Sequence, residues 1–406
     1  MTFGIERIRV HPSTLTLRFE DLCAARGHHP AETLGHLLVR ERSVMPAWED
    51  PVTMATNAAR PLVSEEDRSV IGLLIVGTET PVDLEKPIST WVHRFLGLPT
   101  TCRNFEIKHA CYSVTAAVQM ALAWLATNVG RNRKALVIGT DASLLGLGTA
   151  HEYVLGAGAA AILLSDRPDF LAIETDRTGV YAAEVTDVIR PGRSIETGNS
   201  TESLFAYLEG VEDAYDAFQE AGEKVDFADF AHVVYHAPFG GITFRAHRRL
   251  LGRGHAPSRD EAWADFERRS LPGLCYHRRT GGVYGSSTFL SLLAAIDIRD
   301  DLRPGDPIGI FSFGSGSCAE FYRGRVGPRA REIAAEARLA ALLDERQTID
   351  VAEYEALERT RDASVSEPDF TPDRAMPPGH WERNWAGRGR LALRGVRQWV
   401  REYAWT

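Results

Sequence analysis

The sequence predicts an α/β protein in which one unit is used twice. Three observations carry this reading. Residues 71–77 and 135–141 are continuous or nearly continuous apolar runs of strand length, as in strands buried on both faces of a parallel sheet. The order apolar strand, polar turn opening a helix, apolar strand occurs twice, roughly 155–172 residues apart. In both copies the first strand ends in an ionisable residue, Glu79 in one and His236 in the other.

Taken in order, residues 3–10 and 14–19 read as two short strands turned about His11-Pro12-Ser13 into a hairpin. Helical patterning follows at 31–42. Asp50 is placed to cap a helix with Pro51 at its first position, running to about Arg60. The strand at 71–77 ends in Thr78-Glu79-Thr80, outside the carboxyl end of a parallel strand, where functional groups gather. Residues 90–96 read as helix. Phe105-Glu106-Ile107 leads to the turn Lys108-His109-Ala110-Cys111-Tyr112 and a helix over 113–127. After the strand at 135–141, Gly156-Ala157-Gly158 is a glycine-rich turn feeding another strand. It is not a phosphate loop, because no Gly-Lys-Ser/Thr follows and a strand, not a helix, comes next.

Residues 166–232 read as a connection holding a helix at 201–219, with Phe205, Tyr207, Tyr215 and Phe218 as core. The second unit then runs through Val233-Val234-Tyr235-His236, the turn and helix at 281–293, and the strand at 308–314. Tyr284 matches Tyr112 in the repeat. Residues 330–343 are helical, 364–379 carry four prolines and form a loop, and 391–405 make one or two strands.

Composition sets the outer limits. The chain has 406 residues, enough for two or three domain-sized units, with 44% hydrophobic and 25% charged residues, ordinary for a soluble protein. No run reaches the roughly 18 apolar residues of a membrane span. The N-terminus lacks a basic region followed by an apolar core, so a cytoplasmic location is expected. Five cysteines without a CxxC pair suggest neither a disulfide framework nor a zinc site, and no metal is expected. A net charge of −9 argues against nonspecific nucleic-acid binding.

Three residue types then point to chemistry. Cys111 stands at a helix N-terminus, whose partial positive charge favours the nucleophilic thiolate. Glu79 is placed to remove a proton next to a carbonyl, and His236 to hydrogen-bond a carbonyl and protonate a developing alkoxide. The backbone N–H of Cys111, with another from Gly314-Ser315-Gly316-Ser317, would hold a thioester oxyanion. Acyl transfer followed by carbon–carbon bond formation fits this set. Cysteine and histidine alone would also fit a protease or amidase, against which the duplicated pattern and the glutamate argue. The basic helix at 244–252, with Arg245, Arg248 and Arg249, would dock an acidic carrier.

Several blocks in order resemble one family. They are Glu49-Asp50-Pro51-Val52-Thr53, Lys108-His109-Ala110-Cys111-Tyr112-Ser113, Gly156-Ala157-Gly158-Ala159, His236-Ala237-Pro238-Phe239-Gly240-Gly241, Phe289-Leu290-Ser291-Leu292, Phe311-Ser312-Phe313-Gly314-Ser315-Gly316-Ser317 and Arg401-Glu402-Tyr403-Ala404-Trp405. Together they resemble the 3-hydroxy-3-methylglutaryl synthases of the thiolase superfamily, and among these the branch that acts on acyl carrier proteins in polyketide β-branching.

The resemblance implies a thiolase-like fold, with duplicated βαβαβ units in α-β-α-β-α layers. The halves would be 1–166, carrying Glu79 and Cys111, and 167–330, carrying His236. Residues 331–406 would be an extension packed on the C-terminal half. It implies acetyl loading of Cys111 from a donor carrier protein, with a coenzyme A thioester as the other donor considered. Glu79 would form the carbanion equivalent, and His236 would act as acid toward the β-carbonyl of a polyketide on a second carrier protein. Hydrolysis would follow. Tyr284 and Ser286 would join the oxyanion loop as substrate contacts. No cofactor would be resident, the phosphopantetheine arm would come with the carriers, and the enzyme would be a homodimer.

The chain departs from the family pattern in three places. Gly281-Gly282 replaces Gly-Asn, so a polar contact near His236 is lost. The loop from Ser143 to Gly156 is short and has Glu152-Tyr153-Val154-Leu155 in place of Glu-Pro-Ser-Ala. Val114 stands where a small residue is usual and would narrow the site beside Cys111. Two alternatives are weighed with the main reading. A ketoacyl-synthase-III-like acyltransferase is disfavoured by Glu79 and by the missing asparagine. A non-catalytic carrier-binding paralogue is disfavoured by the intact Cys111, His236 and Glu79.

Overall fold

A computed structural model describes residues 2–143, 147–192, 195–253 and 256–406. The chain opens with β1 (Phe3–His11), β2 (Leu15–Arg18), α1 (Phe19–Arg26), α2 (Pro30–Leu34) and β3 (Glu41–Val44). β1 and β2 are not the expected hairpin, because β2 pairs with β3 instead. The helix expected over 31–42 stops at Leu34. Beyond it the chain is taken over by tertiary pairing: the Leu37 carbonyl accepts the Gly241 N–H at 3.1 Å, and residues 41–44 enter a sheet.

α3 (Pro51–Ala59) begins as the sequence predicts. Asp50 Oδ1 accepts the Thr53 N–H at 3.0 Å and Thr53 Oγ1 accepts the Asp50 N–H at 2.8 Å, satisfying donors a helix start leaves open. There follow α4 (Glu65–Val70), β4 (Ile71–Gly77), α5 (Ile88–Leu96), β5 (Arg103–Ile107), α6 (Ser113–Leu125), β6 (Lys134–Ala142) and β7 (Ala157–Ser165).

The second half holds β8 (Leu171–Ala182), β9 (Val188–Gly192), β10 (Ile195–Gly198), α7 (Ser200–Glu220), β11 (His232–Tyr235), α8 (Gly240–Leu251), α9 (Arg259–Arg269), α10 (His277–Thr280), α11 (Ser286–Ile298), β12 (Pro307–Gly314) and β13 (Cys318–Val326). Residues 166–232 are therefore more than a connection. β8 is a 12-residue strand of the main sheet whose solvent-facing positions are polar enough to mask its pattern. Phe205, expected in the core, is 61% exposed, whereas Tyr207, Tyr215 and Phe218 are buried. The chain ends with α12 (Ala330–Ala337), α13 (Leu339–Asp344), β14 (Gln347–Thr348), α14 (Val351–Ser366), α15 (His380–Asn384), β15 (Leu391–Arg397) and β16 (Val400–Trp405). The helix expected over 330–343 is broken at Arg338, which has φ of 50°.

Among the described residues the main sheet has nine strands in the order β11-β12-β13-β8-β1-β7-β6-β4-β5. The order β4-β6-β7-β1 is mirrored by β11-β12-β13-β8. The two halves meet in a short antiparallel contact, Phe3↔Ile173 to Ile5↔Leu171. The duplicated unit is thus present as expected.

Strand alternation sorts the side chains into layers. Leu73, Ile75, Ala135, Val137, Ile308 and Ile310 face a middle core shared with α6 and α11. Leu74, Val76, Leu136 and Ile138 face α3 and α5. Val233, Tyr235, Phe311 and Phe313 face α7 and α8. The result is the layered thiolase-like α-β-α-β-α arrangement.

The last 76 residues do not sit mainly on the C-terminal half, as expected, but brace the N-terminal one. β14 pairs with β2, Leu393 N–H bonds the Trp48 carbonyl at 2.8 Å, and Arg401 and Tyr403 both bond Asp50 Oδ2. These contacts exist because Asp50 uses only one oxygen for its cap.

Candidate active site

β4 and the turn after β5 bring Glu79 and Cys111 within electrostatic reach of each other, and β11 carries His236, two residues before Pro238, whose carbonyl lies at Gly282 beside Leu155. Glu79 lies two residues past the end of β4, in a loop drawn together by Asp141 near the end of β6. Asp141 Oδ1 accepts from the Glu79 N–H (2.7 Å), the Thr80 N–H (3.1 Å) and the hydroxyls of Thr78 and Thr80 (3.0 Å each). The Glu79 carbonyl accepts from Arg190 Nη1 at 2.6 Å. The backbone is clamped while the carboxyl group is left for chemistry, with Oε1 shut off from solvent and unpartnered. Burial pushes the Glu79 carboxyl up to about 7, with Arg190, Lys108 and the Ala110 backbone pulling the other way. Burial and the neighbouring Glu79 raise Asp141 to about 8.

Cys111 sits in the turn that enters α6, formed by the Tyr112 N–H on the His109 carbonyl (3.1 Å) and the Ser113 N–H on the Ala110 carbonyl (3.2 Å). Its side chain packs against buried Leu155 and Tyr284. The expected thiolate-stabilising field does not prevail. Burial pushes the thiol well above its ordinary range, and Glu79, Asp141 and Glu196 add to the rise while Arg190 opposes it. Desolvation and the three carboxyl groups favour the thiol over the thiolate, so acylation of this sulfur calls for a base.

His236 is held by its backbone. Its N–H bonds the Phe311 carbonyl at 2.7 Å, its carbonyl accepts from Tyr207 Oη at 2.7 Å, and the next carbonyl, of Ala237, accepts from His277 Nε2 at 2.7 Å. The imidazole is buried, with Nδ1 unpartnered. Burial, and then His277, push it down to about 3. It is therefore neutral across the physiological range, a state in which it can donate the expected hydrogen bond to a carbonyl.

The other expected residues divide. Tyr284 reaches the site: it packs on Cys111, and its Oη lies 3.4 Å from Arg190 Nη2. Gly314 also reaches it, since a Cβ there would lie 2.7 Å from the Tyr112 nitrogen and the His109 carbonyl oxygen. Gly316 and Ser317 are not free as oxyanion donors. Their N–H groups bond Asp187 Oδ1 (3.0 Å) and the Ala183 carbonyl (2.7 Å).

Ser286 is buried in the first turn of α11, beside Gly139 of β6. Val114 does not narrow the site. It is fully buried in the middle core, its Cγ2 filling the space where a Cβ on Gly139 or Gly285 would be. Arg245, Arg248 and Arg249 are exposed on α8, which starts four residues after His236, and Arg249 reaches Glu212 at 3.5 Å.

Sequence reasoning missed Asp141, Arg190 and Glu196. Asp141 lies near the end of an apolar strand, like Glu79, and the same strand-end rule would have found it. Arg190 and Glu196 are ion-paired in the hairpin β9–β10, inside a polar stretch with no pattern to mark them.

Comparison with known proteins places this geometry. Residues 42–168 match the family described as "Hydroxymethylglutaryl-coenzyme A synthase N terminal" and residues 257–378 match "Hydroxymethylglutaryl-coenzyme A synthase C terminal". The polyketide biosynthesis 3-hydroxy-3-methylglutaryl-ACP synthase PksG of Bacillus subtilis (strain 168) is 34% identical over 424 residues, covering 99% of each chain. The hydroxymethylglutaryl-CoA synthase of Enterococcus faecalis is 32% identical, covering 88% of this chain and 91% of that one. The crystal structure of the curacin biosynthetic pathway HMG synthase in complex with holo donor-ACP superposes with a TM-score of 0.96 at 37% identity, covering all of both chains. Fold and site thus define a carbon–carbon bond-forming condensing enzyme of thiolase-like architecture. Within that class the chain belongs to the hydroxymethylglutaryl-coenzyme A synthase family.

Proposed function

We propose that this chain is the condensing enzyme of polyketide β-branching, adding an acetyl unit to the β-carbonyl of a carrier-bound polyketide. One observation carries the reading: next to Cys111 stands a buried carboxyl group, Glu79, raised to about 7, so that it can both take and return a proton near neutrality. The likeness to PksG and to the curacin HMG synthase, the latter solved with its donor-ACP, supports the carrier-bound substrate class.

In the first step Cys111 Sγ adds to the donor thioester. Glu79 takes the thiol proton, and the donor thiol leaves carrying it. Glu79 then removes a proton from the acetyl methyl group. The resulting carbon attacks the acceptor β-carbonyl, whose oxygen receives a hydrogen bond from neutral His236. The alkoxide is protonated by Glu79, the one member of the three that loads and unloads near neutrality. Water finally cleaves the Cys111 thioester, leaving a carboxylate on the product and a thiol on the enzyme.

The donor and acceptor arms are phosphopantetheine thioesters on acyl carrier proteins, and Arg245, Arg248 and Arg249 give an acidic carrier its landing surface. The catalytic residues come from two halves, 1–166 and 167–330. The enzyme works as a homodimer through the open edge of β5.

The test is the intact mass of acetoacetyl-carrier protein after incubation with acetyl-carrier protein and enzyme, the enzyme mass being recorded alongside. The acceptor should gain the mass of acetic acid. Glu79→Gln should cut that gain about 10²–10⁴-fold. Undiminished condensation by Glu79→Gln would sink the reading.

A further inference from the structure

We infer that Leu155 sets the size of the acyl group carried by Cys111, so that the enzyme takes acetyl and rejects propionyl and longer chains. The inference rests on the proposed acetylation of Cys111 and adds the residue that selects the acyl group by size.

Two backbones run unusually close beside the site. The Gly282 N–H bonds the Val154 carbonyl at 2.6 Å, and the Gly156 N–H bonds the Gly282 carbonyl at 2.9 Å, so 154–156 and 282 form a bridge beside the site. A side chain at 282 has no room. Its Cβ would lie 2.7 Å from the Pro238 carbonyl oxygen, 3.1 Å from the Val154 carbonyl oxygen and 3.4 Å from Leu155 Cδ2. Two of these neighbours are backbone and cannot give way. The polar amide the family pattern leads one to expect at 282 is absent, and an apolar side chain, Leu155, stands at that edge of the site.

Leu155 is also part of the cluster on which Cys111 packs. Tyr284 is its buried partner there, and Val154 packs on the same cluster. This cluster is the apolar surface available to an acyl group on Sγ. Tyr284 is anchored by Arg190.

The wall carrying Leu155 is anchored as well. Glu152, three residues earlier, receives two bonds from Arg26 at 3.0 Å each, and its carbonyl accepts from Arg42 Nη1 at 3.1 Å. A wall held on both sides cannot retreat for an extra methylene. Such a pocket separates substrates differing by one methylene about 10–200-fold.

The chemistry is acyl exchange only. The Cys111 S–H bond and the donor C–S bond break, an enzyme thioester and a donor thiol form, and nothing is oxidised or reduced.

The experiment measures initial rates of enzyme acylation by intact mass, with acetyl-, propionyl- and butyryl-phosphopantetheine on a stand-alone acyl carrier protein and with the same three coenzyme A thioesters. Wild type, Leu155→Val and Leu155→Ala are compared, each first checked for an unchanged thermal transition. Wild type should be acetylated at least tenfold faster than propionylated. The propionyl-to-acetyl ratio should rise in the order Leu, Val, Ala, by tenfold or more at Ala. A ratio that stays within twofold across the series, with acetylation intact, would overturn the assignment of Leu155 and leave the proposed function standing. Wild type that accepts no acyl group from any of the six donors would remove both. If Leu155→Ala does not fold, Leu155→Val still decides, because its expected shift lies in the same direction.

Discussion

Glu79 and Asp141 are the two coupled carboxyl groups on which the proposed mechanism turns. Each carboxyl group is desolvated: burial raises Glu79 to about 7, and burial together with the charge of Glu79 raises Asp141 to about 8. They shed their protons as a coupled pair. Condensation needs Glu79 ionised, so its rate should climb with pH and level off above about 7. Asp141, the higher of the two, still holds its proton while Glu79 ionises, so Asp141→Asn, whose Oδ1 can still accept the four bonds that shape the loop, should leave the acid limb of the condensation profile in place. A limb that moves to lower pH would show that Asp141 is charged while Glu79 titrates. The same pair affects stability. The folded state keeps protons that the unfolded chain sheds near pH 4, so stability should fall as pH rises from about 4 through 8. Urea midpoints of Asp141→Asn should fall less over that range. The strand-end rule located Glu79 and His236 from sequence because an apolar run stops abruptly at each. It could not tell that His236 is neutral or that Cys111 is a thiol, since both depend on burial and on charges arriving from distant segments.

At the scale of elements, the hairpin β9–β10 shows what a pattern reading loses. It carries Arg190 to the Glu79 carbonyl and to Tyr284, and pairs it with Glu196. Among the described residues Arg190 is the cation that lowers both the Glu79 carboxyl and the Cys111 thiol. Arg190→Gln keeps a donor for the Glu79 carbonyl and removes the charge. The pH dependence of Cys111 alkylation by iodoacetamide should then shift upward, and the condensation limb with it. A purely structural arginine would lower yield or melting temperature without moving either profile. The strands 71–77, 135–141 and 308–314 and the capped helix at 51–59 were legible because each is a local pattern. β8 and β9–β10 were not, since their half-exposed polar residues resemble a loop until a partner strand fixes them. Residues 391–405 were read as strands, but their docking on α3 through Asp50 depends on a fold that already exists.

For the whole molecule, the sheet itself poses the question of assembly. β5 is its last strand on the N-terminal side, pairing with β4 on one edge only among the described residues. Its residues are half-buried or exposed, and Phe105 and Ile107 are only partly covered. On the adjoining helix α6, Met120 is 51% exposed, and Val129 just past its end is 70% exposed. An open strand edge flanked by apolar side chains invites pairing with a second copy, which would carry the sheet across a twofold axis. β5 ends four residues before Cys111, so an interface there would also steady the turn that presents the sulfur. Wild type should therefore run as a dimer by light scattering coupled to size exclusion. Met120→Glu, which places a charge on that face without touching the buried core, should weaken the dimer at least tenfold. Acylation of Cys111 should slow with it and recover at high protein concentration. A monomeric wild type, or a Met120→Glu dimer of unchanged affinity, would rule out this face. A dimer lost without any change in acylation would keep the interface and separate it from the active site.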